Sequence, residues 1–285
     1  PPGEPSRRDD LVHRVVVVAF DGFQLLDLAG PADVLRAASL LGAAPPYDVT
    51  TLTPGGEPVR ADSGMSVAAD GAVERYTGRV GTLLVVGGIG VDAVCRDPKA
   101  VAAVRRLAGR ADRVASVCTG ALLLAAAGAL DGRRATTHWS ACARLADRHP
   151  DVDVEPDRIY VRDGEVWTSA GVTAGIDLAL ALVEHDHGAE LAHAVAGWLV
   201  VFVRRPGGQA QFSAQLLSQP ARSPGVVELQ RWLPDHLDED LTVEALAARV
   251  GMSPRNLARR FKDETGVTPA AFVEALRVEA ARRLL

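Results

Sequence analysis

Cys118 stands in the segment Val114–Gly120 (VASVCTG), between a β-branched run and a strongly apolar stretch. A cysteine at a strand-to-helix turn is held with its sulfur above the sheet, where it can act as a nucleophile or line a pocket. The N-terminus of the helix that follows predicts a lowered thiol pKa, and Gly120 permits the sharp turn. The alternative is a buried, inert thiol, because free cysteine packs as a small apolar side chain. Asp27 lies inside Leu25-Leu26-Asp27-Leu28, where an unpaired carboxylate is costly, so a thiol, a backbone N–H or a ligand is expected beside it. Its local alternative is helix capping just before Pro31. Gly87, Gly88, Ile89 and Gly90 follow a buried strand, and their backbone N–H groups can hold a ligand oxygen. His138, in Thr136-Thr137-His138-Trp139, is either a base for the thiol or a satisfied histidine at a helix start. His185, His187 and His193 with Glu184 and Asp186 match no known ligand spacing, and no metal is expected.

A second set of residues points to different chemistry. Ser253 is a good N-cap and Pro254 a good first helical residue, and Leu257 and Phe261 recur at i, i+4 as an inward face. Arg255, Asn256, Arg259, Arg260 and Lys262 are left pointing mostly outward. Arg and Lys neutralise phosphates, and Arg or Asn can read base edges. The preceding pattern, Val243–Val250, ends at Gly251, so the whole reads as helix, turn, helix. From Arg249 to the end, eight basic residues stand against four acidic ones. The alternative is a small helical bundle with a solvated basic face.

The elements that must position these groups fall into two classes. From Leu11 to Val203 strand and helix patterns alternate, which predicts an α/β domain with a largely parallel sheet. Val12–Phe20 reads as a central strand, Pro31–Leu41 as a helix with Pro31 in its first turn, Glu190–Val203 as a helix, and Ile159–Arg162 with Val166–Ser169 as a hairpin through Asp163-Gly164. Residues 204–225 are rich in Gly, Gln, Ser and Pro and read as a linker. Residues 226–285 carry only helical patterns and read as a small all-α domain.

Composition sets the outer bounds. The chain has 285 residues, 48% hydrophobic and 24% charged, enough to bury a substantial core. A net charge of −5 excludes a globally basic nucleic-acid coat but not a local basic patch. Three cysteines, Cys95, Cys118 and Cys142, without a C-x-x-C pair suggest neither a disulfide framework nor a zinc knuckle, and fit a reducing compartment. The polar stretch Pro1–Asp10 lacks a signal-peptide core, and no apolar run reaches membrane-span length, so a cytoplasmic protein is expected.

The stretch LTVEALAARVGMSPRNLARRFKDETGVTPAAFVEALRVEAARRLL, Leu241–Leu285, resembles the first half of an AraC/XylS-type DNA-binding domain. That resemblance implies that the helix starting near Ser253 enters the major groove. It implies Arg255 and Arg259 as base readers, with Asn256, Arg260 and Lys262 in phosphate or supporting roles. It also implies a second helix-turn-helix, which would follow Leu285.

The N-terminal part resembles the class I glutamine amidotransferase-like superfamily, in its protease-I branch. The matching pieces are FDGFQLLDLAGPADVL, VVGGIG, ASVCTGALLLAAAGALDGRRATTHW and WTSAGVTAGIDLALALVE. The resemblance implies a flavodoxin-like three-layer domain in which Cys118 is the elbow cysteine and Asp27 the acidic residue beside it. Asp27, Gly88, Ile89, Cys118, Thr119 and His138 then form a ligand pocket. Protease-like members carry His directly after the elbow Cys, whereas this chain has Thr119. The Asp-plus-Cys-Thr set resembles isonitrile hydratases, which keeps a thiol-dependent hydratase or hydrolase as the alternative. The expectation is a DNA-binding regulator that senses a small-molecule effector, needs no cofactor, forms a homodimer through its N-terminal domain and binds a double-stranded operator.

Overall fold

The β-branched run near the N-terminus forms β1 (His13–Val18), and Val15, Val16, Val17 and Val18 are all buried. A strand covered on both faces is what a parallel sheet between helices requires. The computed structural model describes residues 12–202, 223–233 and 236–284. Leu11, Val203 and residues 204–222 of the expected linker lie outside the described residues. The chain divides into two units, Pro1–Arg205 and Pro206–Leu285.

In the first unit β1 is followed by α1 (Leu25–Leu40), β2 (Tyr47–Thr53), β3 (Val59–Arg60), β4 (Ser66–Val67), β5 (Gly71–Ala72) and β6 (Thr82–Val85). Next come α2 (Val91–Cys95), α3 (Pro98–Ala108), β7 (Arg113–Val117), α4 (Gly120–Ala126), β8 (Arg134–Ala135) and α5 (Cys142–Arg148). The unit closes with β9 (Asp153–Val154), β10 (Tyr160–Asp163), β11 (Val166–Ser169), α6 (Ala174–His187) and α7 (Ala189–Leu199). Seven strands form one sheet in the order β10-β11-β7-β6-β1-β2-β5. Every neighbouring pair is parallel except the β10–β11 hairpin. Helices α1, α6 and α7 pack on one another, and α2, α3 and α4 pack as a second group. The α/β, flavodoxin-like reading of the sequence holds.

Two local expectations are corrected. Helix α1 starts at Leu25, so Pro31 lies inside it rather than in its first turn. The buried Pro31 ring faces Gly175 of α6, and this close helix contact outweighs the proline's helix penalty. Helix α7 ends at Leu199, with Val200 in the left-handed region, rather than at Val203.

A polar network ties the amino ends of the strands together. The Arg113 guanidinium, 5% exposed, donates from both terminal nitrogens to the two Asp186 oxygens at 2.8 Å and from Nε to Thr82 Oγ1 at 3.1 Å. The Tyr47 hydroxyl donates to Asp186 at 2.7 Å, and His13 Nε2 lies 2.8 Å from Thr82 Oγ1.

The second unit contains α8 (Pro224–Trp232), α9 (Val243–Arg249), α10 (Pro254–Thr265) and α11 (Pro269–Leu284). Its core holds Val226, Leu229, Leu246, Leu257, Phe261 and Phe272. The expected linker end at Gly225 is corrected: Ser223 and Pro224 already open α8, and the Ser223 N–H and hydroxyl donate to Glu264 at 2.9 and 3.1 Å.

Candidate functional site

Strand β1 is flanked by β2 on one side and β6 on the other, so the winding of the sheet reverses there. In open α/β sheets the crevice beyond the carboxyl ends of strands at such a point is where ligands bind. Asp27 follows β1, Gly87 and Gly88 follow β6, and Cys118 follows β7, so these distant segments converge on that crevice.

Asp27 sits in the first turn of α1 and is fully buried. It is not the cap of that helix: the N-cap is Gln24. Its Oδ2 accepts the Gly87 N–H at 3.0 Å and its Oδ1 the Val172 N–H at 2.8 Å, and the Cys118 thiol hydrogen-bonds to it. Burial pushes the carboxyl up, the three hydrogen bonds pull it partly back, and the result is about 6.

Cys118 adopts a φ of 56°, in the left-handed region, and its N–H donates to Ser169 O at 3.0 Å. Gly120 packs against the Val85 and Val86 carbonyls, where a Cβ would collide, so glycine is needed there for close approach. The thiol pKa is not lowered. Burial first, and then the Asp27 charge, push it up to about 12, which outweighs the hydrogen bonds from Thr119.

Thr119 Oγ1 accepts the Gly88 N–H at 2.9 Å. With Gly87 N–H on Asp27 and Gly90 N–H on Gly22 O at 3.1 Å, three of the four backbone donors that the sequence offered to a ligand are engaged within the protein. The Ile89 side chain is 81% exposed. His138 caps the short helix Trp139–Ala141: its Nδ1 lies 2.7 Å from Ser140 Oγ, and burial lowers its pKa. Among the described residues no hydrogen bond joins His138 to Cys118. Both nevertheless line one cavity of about 380 Å³ with Gly88, Ile89 and Thr119, whereas Asp27, expected in the same pocket, is fully buried behind it and does not line it.

The same cavity is lined by Gln24, Asp62, Asp92, Arg144 and Val172, which sequence reasoning missed. Arg144 Nη1 pairs with Asp92 Oδ2 at 2.8 Å, while its Nε is buried without a partner. No local motif marks these residues, because they arrive from separate elements. Of the histidine cluster, His185 packs against Trp167, and Asp186 belongs to the Arg113 network.

The shifted thiol predicts its own reactivity. A rise from 9.0 to about 12 leaves about a thousandfold less thiolate near neutral pH. Native Cys118 is therefore expected to resist iodoacetamide at pH 8, as followed by peptide mass spectrometry, and Asp27→Asn should speed labelling by removing the neighbouring charge. Labelling of the native chain at the rate of a free cysteine would contradict this.

In the second unit, Ser253 Oγ accepts the Asn256 N–H at 3.3 Å and caps α10, and Gly251 turns the chain with a φ of 65°. Leu257 and Phe261 are buried, and Phe261 meets Phe272 edge-on at 5.4 Å. Arg255, Arg259, Arg260 and Lys262 are exposed, Asn256 is half-buried, and Arg259 Nη2 lies 3.4 Å from Asn256 Oδ1. Not all the basic residues counted in the sequence face outward as free charge. Arg277 donates to Leu237 O and Glu239 O at 3.0 and 2.9 Å, and Arg249 lies 3.7 Å over the Trp232 ring. The side chains of Arg282 and Arg283 lie outside the described residues.

Residues 13–185 match the model of the DJ-1/PfpI family, and this span includes the whole Asp27–Cys118 crevice. The chain belongs to the DJ-1/PfpI family. Residues 246–285 match a helix-turn-helix domain model, so the DJ-1/PfpI domain is followed by a second family element. The HTH-type transcriptional regulator CdhR of Pseudomonas aeruginosa is 34% identical over 266 residues, 93% of this chain and 77% of that protein. At that identity and coverage, the chain falls among HTH-type regulators that carry a DJ-1/PfpI domain. An isonitrile hydratase of Pseudomonas putida is 39% identical over 178 residues, 62% of this chain and 73% of that one. A solved THiJ/PfpI family protein from Pseudomonas syringae shares the fold, with a TM-score of 0.61 and 22% identity over 96% of this chain and 98% of that one. Among the described residues no helix is long and apolar enough to cross a membrane.

Proposed function

We propose that the protein is a transcriptional regulator whose DJ-1/PfpI domain takes a small-molecule effector in the cavity beside Cys118 and whose C-terminal unit binds a double-stranded operator. The observation that carries this reading is the capped helix α10, which leaves four cationic side chains exposed beside a glycine turn. Arg255 and Arg259 are assigned to base edges, and Asn256, Arg260 and Lys262 to phosphates or to supporting those contacts. The cavity, about 380 Å³, is within the range that small ligands fill, and its lining includes the polar side chains of His138 and Arg144. Pairing of two copies through the N-terminal domain would set two half-sites in register and multiply weak binding. The effector would act by favouring one arrangement of the pair over another. The cytoplasm suits this role and keeps the three cysteines reduced.

The test is a gel shift of the full chain on DNA from upstream of its own gene, run against random DNA across a salt series. A preference for the upstream DNA, with affinity falling steeply as salt rises, is expected. Equal binding to both would end the regulator reading.

A thiol-dependent hydratase or hydrolase is the second reading, favoured by the Asp27–Cys118 contact, by Thr119 and by the likeness to isonitrile hydratase. That reading expects isonitrile turnover that Cys118→Ser abolishes while DNA binding is unchanged. The raised thiol pKa and the absence of a bond to His138 among the described residues favour a sensing pocket instead.

A further inference from the structure

Val172 is a β-branched residue with a φ of 52°, a conformation in which its side chain crowds its own backbone. No glycine relieves it, so the surrounding structure must hold it there. The hold is visible: its N–H donates to Asp27 Oδ1 at 2.8 Å, and Asp27 is itself fixed from the far side by Gly87 N–H. The residue before it, Gly171, has a φ of 97° and lies directly on the elbow. A Cβ at Gly171 would overlap Cys118 Cβ and stand 2.8 Å from its Sγ, so the peptide covers the thiol at the closest approach a backbone allows.

We propose that the Gly171–Val172 turn is a strained lid over the Cys118 thiol, held shut by the Asp27 carboxylate and poised to open. Three features make it more than a tight turn. Val172 lines the cavity, so whatever occupies the cavity meets the lid. The lid also supplies the first acceptors of α6: Ala174 N–H bonds to Gly171 O at 3.0 Å and Gly175 N–H to Val172 O at 3.3 Å. Opening therefore frays or shifts the start of α6, which packs on α1 and α7. Finally, the strain in Val172 favours release, and the hydrogen bond from its N–H to the Asp27 carboxylate opposes it. The consequence for signalling rests on the effector-pocket reading, but the lid itself requires neither effector nor DNA.

Hydrogen exchange of the full chain, read by mass spectrometry on peptides spanning Gly171–Ile176, tests it at constant pH. Unlike alkylation, this readout does not depend on the charge of the thiol. Val172→Gly and Val172→Asn both tolerate a positive φ and keep the N–H, so each is expected to slow exchange about tenfold. Val172→Ala trims the side chain but keeps the Cβ, and should stay within about twofold of the parent. Asp27→Asn sets an amide donor against at least one of the two N–H groups, and should speed exchange about tenfold. The lid is overturned if Val172→Gly and Val172→Asn exchange as fast as the parent or faster, because the side chain would then serve only as packing. It is equally overturned if Asp27→Asn leaves exchange unchanged. Since no DNA is present, either failure leaves the gel-shift result standing on its own.

Discussion

Replacing Arg259 with alanine weakens binding of the full chain to its operator by about 1–3 kcal/mol, and relaxes base preference at one position of the site. The same is expected of Arg255→Ala at a different position. Both side chains are exposed on α10, one turn apart, while Leu257 and Phe261 anchor the opposite face of that helix in the core. Removing the arginines should therefore leave the fold intact, which circular dichroism of the variants can check. Arg260→Ala provides the contrast. A phosphate contact carries no sequence information, so its loss should weaken binding to all DNA alike and reduce the salt slope by about 1. Titrations over a salt series on the preferred site and on sites with single base changes separate the two behaviours. If Arg255→Ala and Arg259→Ala changed affinity without changing base preference, α10 would not be the reading helix.

Arg113→Met is expected to lower stability at pH 7 by about 3–5 kcal/mol, because it leaves the Asp186 carboxylate half-buried without its bidentate partner. In thermal unfolding of the full chain, that corresponds to a fall of about 10 °C in Tm of the first unit. The double change Arg113→Met with Asp186→Leu should recover part of the loss, since both charges leave together. A shift under about 2 °C for Arg113→Met alone would show that the network contributes little.

The pH dependence follows from the same groups. Burial alone would raise the Asp186 carboxyl, but the Arg113 hydrogen bonds and charge and the Tyr47 hydroxyl outweigh it and hold it below its ordinary value. A depressed carboxyl stabilises the fold above its unfolded pKa, and that contribution is lost as pH falls through the folded value. His13, lowered first by burial and then by the Arg113 charge, adds to the loss below about 6.5, because the unfolded chain takes up that proton first. Asp27 has the opposite sign. Raised to about 6, it favours the fold in acid and costs stability as pH rises through that value. His13 and Asp27 oppose each other between about pH 4 and 6, so the steep acid loss should fall below about pH 4. Arg113→Met should flatten it.

How much of this was legible in the sequence differs between the two units. In the second unit, capping, turn and periodicity are local: Ser253, Pro254, Gly251, Leu257 and Phe261 stand within one short stretch, and the structure places each as its residue type demands. In the first unit the buried strands and the β10–β11 hairpin were readable for the same reason, because a β-branched run or an Asp-Gly turn acts through its neighbours. The start of α1 was not, because its early turns are held by packing against α6 rather than by their own propensities.

The crevice shows the division most clearly. The sequence by itself established that Cys118 follows a strand, that Asp27 sits among leucines and needs a partner, and that a glycine loop follows β6. Only the tertiary structure decided who meets whom. Asp27 bonds to Gly87 and to Val172, 60 and 145 residues away, and Arg113 to Asp186, 73 residues away. The direction of the thiol pKa also had to wait for the fold. A helix N-terminus is a local feature that argues downward, while desolvation and a buried carboxylate argue upward, and these exist only once distant segments have closed over the sulfur. The strained Val172 belongs to the same class, since no residue type announces a positive φ that its surroundings impose.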